Sequence, residues 1–162
     1  MKKCILTILC VVSISFTLSA QQKFSTKTGT IDFEASVPSF EEVKAKNENV
    51  SAILKDDGTF ASLALMKGFR FKVALMEEHF NENYAESSQF PKTTFRGKIN
   101  DFDMSQISEE EKTFTVSGTV NMHGVDKSIE VPVIISKEGT TLILTTNFVL
   151  KPGDLNIEIT WF

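Results

Sequence analysis

The strongest constraint on the fold is a regular alternation of apolar and polar residues on both sides of His123 and Gly124. Upstream, between Thr113 and Met122, the alternate positions are apolar or glycine: Phe114, Val116, Gly118, Val120 and Met122. Downstream, the apolar positions are Ile129, Val131, Val133 and Ile135. Side chains of a strand point alternately to opposite faces, so this pattern predicts two half-buried strands joined by a tight turn at His123-Gly124.

Similar but shorter patterns predict further strands along the chain. Asp56-Asp57-Gly58 separates two apolar segments and is a strong hairpin signal. Pro132 cannot donate to a strand ladder, so we expect its amide position to face an edge or a bulge. The remaining predicted strands lie around Gly29–Phe33, Thr94–Ile99 and Leu142–Leu150. A last one contains Leu150, Leu155, Ile157 and Ile159 and is broken by Lys151-Pro152-Gly153, where Pro152 and Gly153 are expected to bend the chain.

One segment departs from the alternation of strands. Val73, Met76 and Phe80 recur at intervals of three and four residues, and acidic and amide side chains take the opposite side. This spacing predicts a short amphipathic helix over about Phe71 to Asn83. The chain is therefore expected to be mostly antiparallel β-structure with one inserted helix, either a barrel or a sandwich.

The N-terminus has the pattern of a secretory signal peptide. Lys2 and Lys3 precede an apolar run from Ile5 to Leu18, which is too short to cross a bilayer comfortably, and Ser19-Ala20 supplies small residues for cleavage. We expect residues 1–20 to be removed, leaving one domain over residues 21–162 that is exported to the periplasm or secreted. A retained N-terminal anchor is the alternative; after cleavage the protein would not be an integral membrane protein.

Charge and cysteine content exclude several classes of function. The formal net charge is −4 at pH 7, and loss of Lys2 and Lys3 makes it −6, which argues against a nucleic-acid surface. Both cysteines, Cys4 and Cys10, lie in the predicted signal peptide, so the mature chain has no disulfide and no thiolate chemistry. Its stability must come from an apolar core.

Two segments resemble the YceI-like, polyisoprenoid-binding family. They are FPKTTFRG, from Phe90 to Gly97, and VSGTVNMHGVDKSIEVPV, from Val116 to Val133. The similarity extends from about Ile31 to Ile159, and the His-Gly-Val-x-Lys element is its most specific part. The resemblance implies a lipocalin-like antiparallel barrel whose interior can hold a long isoprenoid chain.

The resemblance also makes the C-terminus unusual. Family members commonly continue with a further strand, whereas this sequence stops at Trp161-Phe162. If the closing strand is missing, an edge of the barrel is left unpaired. We therefore expect the chain to be less stable than a longer relative, or to form a homodimer through that edge.

The two histidines offer little for catalysis or metal binding. His123 has Asp126 nearby to orient an imidazole, but no nucleophile accompanies them, so we interpret His123 and Gly124 as turn residues. His79 has Glu78 and Glu82 beside it, which is a poor metal site because zinc usually takes several His or Cys ligands. No catalytic residue, metal site or cofactor is predicted.

The best candidates for function are the apolar residues expected to face the barrel interior. They cannot be distinguished by sequence from an ordinary packed core, because both need the same residue types. The predicted set is Phe33, Leu65, Phe95, Phe114, Val116, Val120, Met122, Phe148 and Leu150.

Together these observations predict a non-catalytic, exported protein that holds a lipid, isoprenoid or other slender apolar molecule inside a β-barrel. The alternative is a structural or interaction protein of the cell envelope, with a filled barrel and no small-molecule ligand. A continuous interior void would favour the first, and a densely packed interior the second.

Export gives the first testable prediction. The secreted protein should begin at Gln21, because the small residues Ser19 and Ala20 precede it. Edman sequencing or top-down mass spectrometry of the protein from its own host would show this N-terminus, and an exported form that retains Met1 would contradict the prediction.

Overall fold

A computed structural model describes residues 22–35 and 43–158, which form eight strands and one α-helix. The strands are β1 (Lys23–Ala35), β2 (Val43–Lys55), β3 (Thr59–Leu65), β4 (Arg70–Phe71), β5 (Lys92–Ile99), β6 (Lys112–Met122), β7 (Val125–Glu138) and β8 (Thr141–Thr146). The helix α1 spans Ala74–His79 and continues into a π-helical turn, Phe80–Tyr84. Three 3-10 turns lie at Met66–Gly68, Met104–Gln106 and Pro152–Leu155.

The strands form one antiparallel sheet that curls into a nearly closed barrel. Neighbours follow the order β1-β2-β3-β5-β6-β7-β8, and the short β4 pairs with β2. Over the described ranges, β1 is hydrogen-bonded only to β2 and β8 only to β7, so no ladder between them seals the barrel. The prediction of a mostly β, antiparallel lipocalin-like barrel with one short inserted helix is confirmed.

The β6–β7 hairpin is the longest regular part of the sheet. Its ladder runs without a break from Lys112 opposite Ile135 to Met122 opposite Val125. The two turn residues, His123 and Gly124, have φ angles of 52° and 73°. Positive φ at both central residues defines a type I′ turn, whose twist matches that of the flanking strands. The predicted turn at His123-Gly124 is therefore confirmed.

Pro132 occupies an edge position, as expected. The hydroxyl of Thr146 donates to the Pro132 carbonyl oxygen at 2.6 Å, and the β7–β8 ladder starts one residue later, with Val133 opposite Thr146. The amide nitrogen and carbonyl of one strand residue point to the same side. The nitrogen of Pro132 therefore faces the side where β8 has already ended, and its missing N–H costs no ladder hydrogen bond.

The helix is shorter than the sequence pattern indicates. Phe71 belongs to β4, where it pairs with Ala45 of β2, and regular α-helix begins only at Ala74 and ends at His79. The chain then widens into the π-helical turn, in which the Ala85 amide donates to the Phe80 carbonyl at 2.7 Å. Phe80 is buried, so the amphipathic pattern correctly identified the residue that anchors this segment.

The predicted last strand is wrong in the part of the chain that the structure describes. Residues Pro152–Leu155 form a 3-10 turn, because proline fixes φ near the helical value and Asp154 donates its amide to the Lys151 carbonyl at 3.0 Å. Leu155 is buried by this fold-back rather than by strand alternation. Ile159, Trp161, Phe162 and the predicted signal peptide lie outside the described residues, and the expected missing strand and homodimer remain predictions.

A pair of glycines sets the shape of the sheet between β5 and β6. Gly97 lies directly opposite Gly118, and the Phe95 ring covers both. A Cβ at Gly118 would lie 2.5 Å from the Arg96 carbonyl oxygen and 2.6 Å from the Phe95 ring. These distances are too short for any side chain, so the close approach of the two strands requires glycine at both positions.

The glycine pair gives a stability prediction. Gly118→Ala should lower the free energy of unfolding by about 1–3 kcal/mol, because the new methyl group overpacks against backbone. Gly153→Ala is the matched control, since a Cβ there meets nothing within 4 Å. Urea unfolding followed by circular dichroism measures both variants. If Gly118→Ala were as stable as wild type, β5 and β6 would accommodate the added methyl group at no cost in free energy, and the prediction would be wrong.

Candidate functional site

The inward faces of the strands form two apolar clusters inside the barrel. The helix-side cluster lies near α1 and consists of Ala45, Val50, Ala64, Met66, Phe69, Phe80 and Ala85. The loop-side cluster lies near the β5–β6 connection and consists of Leu54, Ile99, Ile107, Phe114, Val116, Val133 and Ile135. The molecule therefore has an apolar interior divided into two parts.

Aromatic rings account for much of both clusters. In the helix-side cluster, Phe80 contacts Phe33, Phe69 and Phe71, with ring centroids 5.0–6.0 Å apart. On the loop side, the rings of Phe60 and Phe95 are 5.8 Å apart. Such rings are large, rigid apolar surfaces, which suit contact with an apolar molecule as well as a packed core.

Several of the predicted interior residues do lie in these clusters. Phe114 and Val116 are members of the loop-side cluster, and Phe95 packs against it. Phe33 and Met122 pack against the helix-side cluster. Val120 is buried opposite Phe95 in the β5–β6 ladder. Whether any of them contacts a ligand stays a prediction.

Two members of the predicted set are corrected by the structure. Leu65, the last residue of β3, is 56% exposed, because its neighbours Ala64 and Met66 are buried and alternation turns Leu65 outward. Phe148 is 40% exposed, because β8 ends at Thr146 and the alternation no longer applies. Leu150 follows the same strand end and is half-buried.

Other interior residues were missing from the prediction. Phe69 and Ile107 come from connections between strands, where no period of two marks them. Asn47 is 1% exposed, and its side chain donates to the Leu65 carbonyl and accepts from the Asn49 amide, each at 3.0 Å. A polar residue in a charged stretch gives no sequence signal for such burial.

His123 joins three distant parts of the chain at the helix side of the barrel. Its Nε2 lies 2.7 Å from Glu86 Oε2, and its Nδ1 lies 3.1 Å from the Leu155 carbonyl oxygen. The Phe90 ring packs on the imidazole with centroids 4.4 Å apart. We call His123, Glu86, Phe90 and Leu155 the histidine clasp.

The two hydrogen-bond partners of the imidazole determine the role of each ring nitrogen. A carbonyl oxygen only accepts, so Nδ1 carries a hydrogen and donates to Leu155. When Nε2 is also protonated, it donates to the Glu86 carboxylate, and the imidazolium and carboxylate form an ion pair with 11% of the His123 side chain exposed. Both ring nitrogens therefore have hydrogen-bond partners within the protein.

Three residues in or beside the histidine clasp have positive φ angles. Glu86, His123 and Asn156 have φ angles of 42°, 52° and 54°, which are uncommon for residues with side chains. Each is in the clasp or directly beside it. Cross-connections to three elements hold these conformations in place.

The other features of the described residues offer fewer candidate binding or catalytic groups. His79 is exposed on α1, and no group of three or more His, Cys, Asp or Glu side chains within residues 22–35 and 43–158 is arranged to hold a metal ion. The same ranges contain no helix that is long and apolar enough to span a bilayer.

Two hollows on the outer surface are polar. One, of about 310 Å³, is lined by Lys67 and by polar residues between 81 and 89. The other, of about 490 Å³, lies over the outer face of β6 and β7, where Phe114 is its one aromatic contact. Neither hollow lies between the two apolar clusters.

The fold and interior define a class of small antiparallel barrels with a divided, aromatic-rich interior. A family model described as the YceI-like domain matches residues 11–161. The chain therefore belongs to the YceI-like family, as the resemblance of the His123 hairpin indicates. None of the curated protein sequences compared with this chain matches it.

Solved structures share the fold at low sequence identity. A polyisoprenoid-binding domain from Saccharophagus degradans, implicated in plant cell wall breakdown, superposes with a TM-score of 0.74 at 13% identity, covering 84% of this chain and 81% of that one. Burkholderia cenocepacia BcnA gives 0.63 at 16% identity, covering 85% and 82%. A Campylobacter jejuni YCEI protein gives 0.53 at 13%, covering 97% and 77%.

The histidine clasp gives a prediction that separates turn geometry from cross-linking. His123→Asn should lower the free energy of unfolding by about 1–3 kcal/mol, because asparagine tolerates the positive φ but cannot keep both bonds. A double-mutant cycle with Glu86→Gln should show coupling above about 0.5 kcal/mol. His79→Asn, on the exposed helix, is the control, and strictly additive effects of the clasp substitutions would refute the linkage.

Proposed function

We propose that this protein is exported and holds a lipid, an isoprenoid or another slender apolar molecule inside its barrel, without catalysis. The observation that carries the proposal is the arrangement of two aromatic-rich clusters on one sheet, with the glycine pair between β5 and β6. Membership of the YceI-like family and the polyisoprenoid-binding relative from Saccharophagus degradans support it.

The glycine pair suggests how a chain could pass along the interior. Beside Gly97 and Gly118 the Phe95 ring is the side chain that covers the sheet, and Phe95 itself is only half-buried. Rotation of one ring would expose a smooth strip of backbone next to Val120. A slender molecule could lie there, whereas a bulky one could not.

Burial supplies the binding energy. Apolar surface removed from water contributes about 25 cal/mol per Å². A chain that buries about 300 Å² would gain about 7.5 kcal/mol, part of which is lost in ordering the ligand and moving side chains.

A filled barrel that acts as a structural or interaction protein of the cell envelope is the second candidate. The packing of the two clusters favours it, because Ile99 and Ile135 are fully buried and both surface hollows lie outside the interior. In that case Phe95 is an ordinary core residue that fills the space above the glycines. The two candidates differ in whether the wild-type interior accepts a ligand.

Native mass spectrometry of the protein purified from its own host distinguishes them. The binding function predicts a co-purified apolar molecule that is released on denaturation. It also predicts saturable uptake of the probe N-phenyl-1-naphthylamine, displaced by an isoprenoid alcohol. A ligand-free protein that takes up no probe would support the filled barrel instead.

Substitution of one interior residue tests whether the apolar molecule binds inside the barrel. Phe114→Asp should abolish probe uptake, because an uncompensated carboxylate would lie in the apolar interior. Thr113→Asp places the same charge on the preceding residue of β6, which is exposed, and should leave uptake unchanged. Circular dichroism establishes folding, and Met122→Asp replaces Phe114→Asp if the latter unfolds. Unchanged affinity in both folded interior variants would move the site elsewhere.

A further inference from the structure

His123 faces two hydrogen-bond acceptors, whereas a neutral imidazole has only one hydrogen to donate. Its Nδ1 lies 3.1 Å from the Leu155 carbonyl oxygen, and its Nε2 lies 2.7 Å from Glu86 Oε2. Neither a carbonyl nor an ionised carboxylate has a hydrogen of its own to donate. The complete histidine clasp therefore requires a protonated imidazole, and loss of that proton breaks one of the two bonds.

The bond to Leu155 is the one that a neutral imidazole gives up. A hydrogen bond to an ionised acceptor is roughly twice as strong as a bond between neutral groups, and the Glu86 oxygen is also the closer of the two. The remaining hydrogen therefore stays on Nε2, and the Nδ1 lone pair faces the Leu155 carbonyl oxygen. Leu155 is buried, so its carbonyl loses a donor where water does not readily replace it.

The other charged groups on the elements around His123 have partners of their own. Lys127 of β7 forms an ion pair with Asp154 of the C-terminal 3-10 turn, with nitrogen and oxygen 3.0 Å apart. Asp126, also in β7, accepts a hydrogen bond from an asparagine of β6 at 2.6 Å. Glu86 is thus the charged group that bonds the imidazole directly, and a glutamate is ordinarily ionised above about pH 5.

The C-terminal 3-10 turn lies against the part of β7 that β8 does not reach. The β7–β8 ladder covers residues 133–138, whereas the turn contacts β7 nearer its start, where Asp154 pairs with Lys127. This stretch of β7 carries the half-buried residues Ile129 and Val131, and Val131 packs against the loop-side cluster. Movement of the turn away from His123 would uncover this edge of the barrel wall.

We propose that His123 is a pH-dependent latch, which holds the C-terminal 3-10 turn against β7 while its imidazole is protonated and frees the turn when the imidazole is neutral. Histidine ordinarily changes its charge between about pH 5 and about pH 8. The bond to Leu155 is therefore present at the acidic end of this range and is lost as the pH rises, whereas the bond to Glu86 persists. The latch consists only of groups of the protein, so it does not depend on the function proposed above.

NMR of the ¹⁵N-labelled protein tests the latch. Between about pH 5.5 and about pH 8, the ring-nitrogen shifts of His123 should show loss of the hydrogen on Nδ1 and its retention on Nε2. The Ile157 amide donates to the Pro152 carbonyl at 3.1 Å, so its exchange with water, corrected for the intrinsic effect of pH, reports opening of the turn. This exchange should rise about fivefold or more, whereas that of Ile99, which donates to Gly58 at 2.9 Å, should change less than about twofold.

Two variants separate the latch from a general effect of pH. In Glu86→Gln the new amide group is able to donate to Nε2 of a neutral imidazole, so the ring hydrogen stays on Nδ1 and both bonds are kept. Exchange of the Ile157 amide should then change less than about twofold over the same range. His123→Asn should leave the turn equally open at both pH values. His79→Asn, on the exposed face of α1, is the control and should respond like wild type.

Three results would overturn the proposal. They are equal corrected exchange of the Ile157 amide at both pH values in wild type, the same response to pH in Glu86→Gln as in wild type, and a His123 ring that still carries a hydrogen on Nδ1 at the higher pH. Circular dichroism establishes that the variants are folded. The first and third results come from wild type, so the test remains decisive even if a variant fails to fold.

Discussion

The structure depends on the inward burial of one face of a strongly curved sheet. The unbroken β6–β7 ladder directs Phe114, Val116, Val133 and Ile135 to the same side, and both partner strands extend that face. A shift of one strand by one residue in this register would turn the apolar side chains of that strand to the outer face. The type I′ turn at His123 and Gly124 fixes the register, because its two residues leave no freedom for slippage.

Two apolar clusters lie on the inner side of the sheet, and a pair of glycines lies in the ladder between β5 and β6. Gly97 and Gly118 allow β5 and β6 to approach, and Phe95 covers the strip that they leave bare. This arrangement is compatible with a packed core and also with a path for a slender ligand. The packed interior and the ligand-bound interior would differ by the rotation of the Phe95 ring and the displacement of the side chains that it contacts.

The histidine clasp connects the interior to the surface. Through one imidazole, the β6–β7 turn holds the segment after the π-helical turn and the C-terminal 3-10 turn, which are 37 and 32 residues away. Gly124 is required here as well, since a Cβ would lie 2.8 Å from the Phe90 ring. Loosening of the clasp would therefore disturb both the helix side of the barrel and the polar hollow whose wall includes Glu86.

The sequence by itself determined most of the strands, the hairpin turn and part of the apolar interior, because alternation and turn chemistry are local. It indicated the helix but not its short length, since Phe71 is taken into β4 by pairing with Ala45. Only the tertiary structure decided that Leu65 and Phe148 face outward, that residues 152–155 fold into a 3-10 turn, and that Asn47 is buried. The partners of His123 also lie far from it in sequence, and no local pattern encodes such contacts.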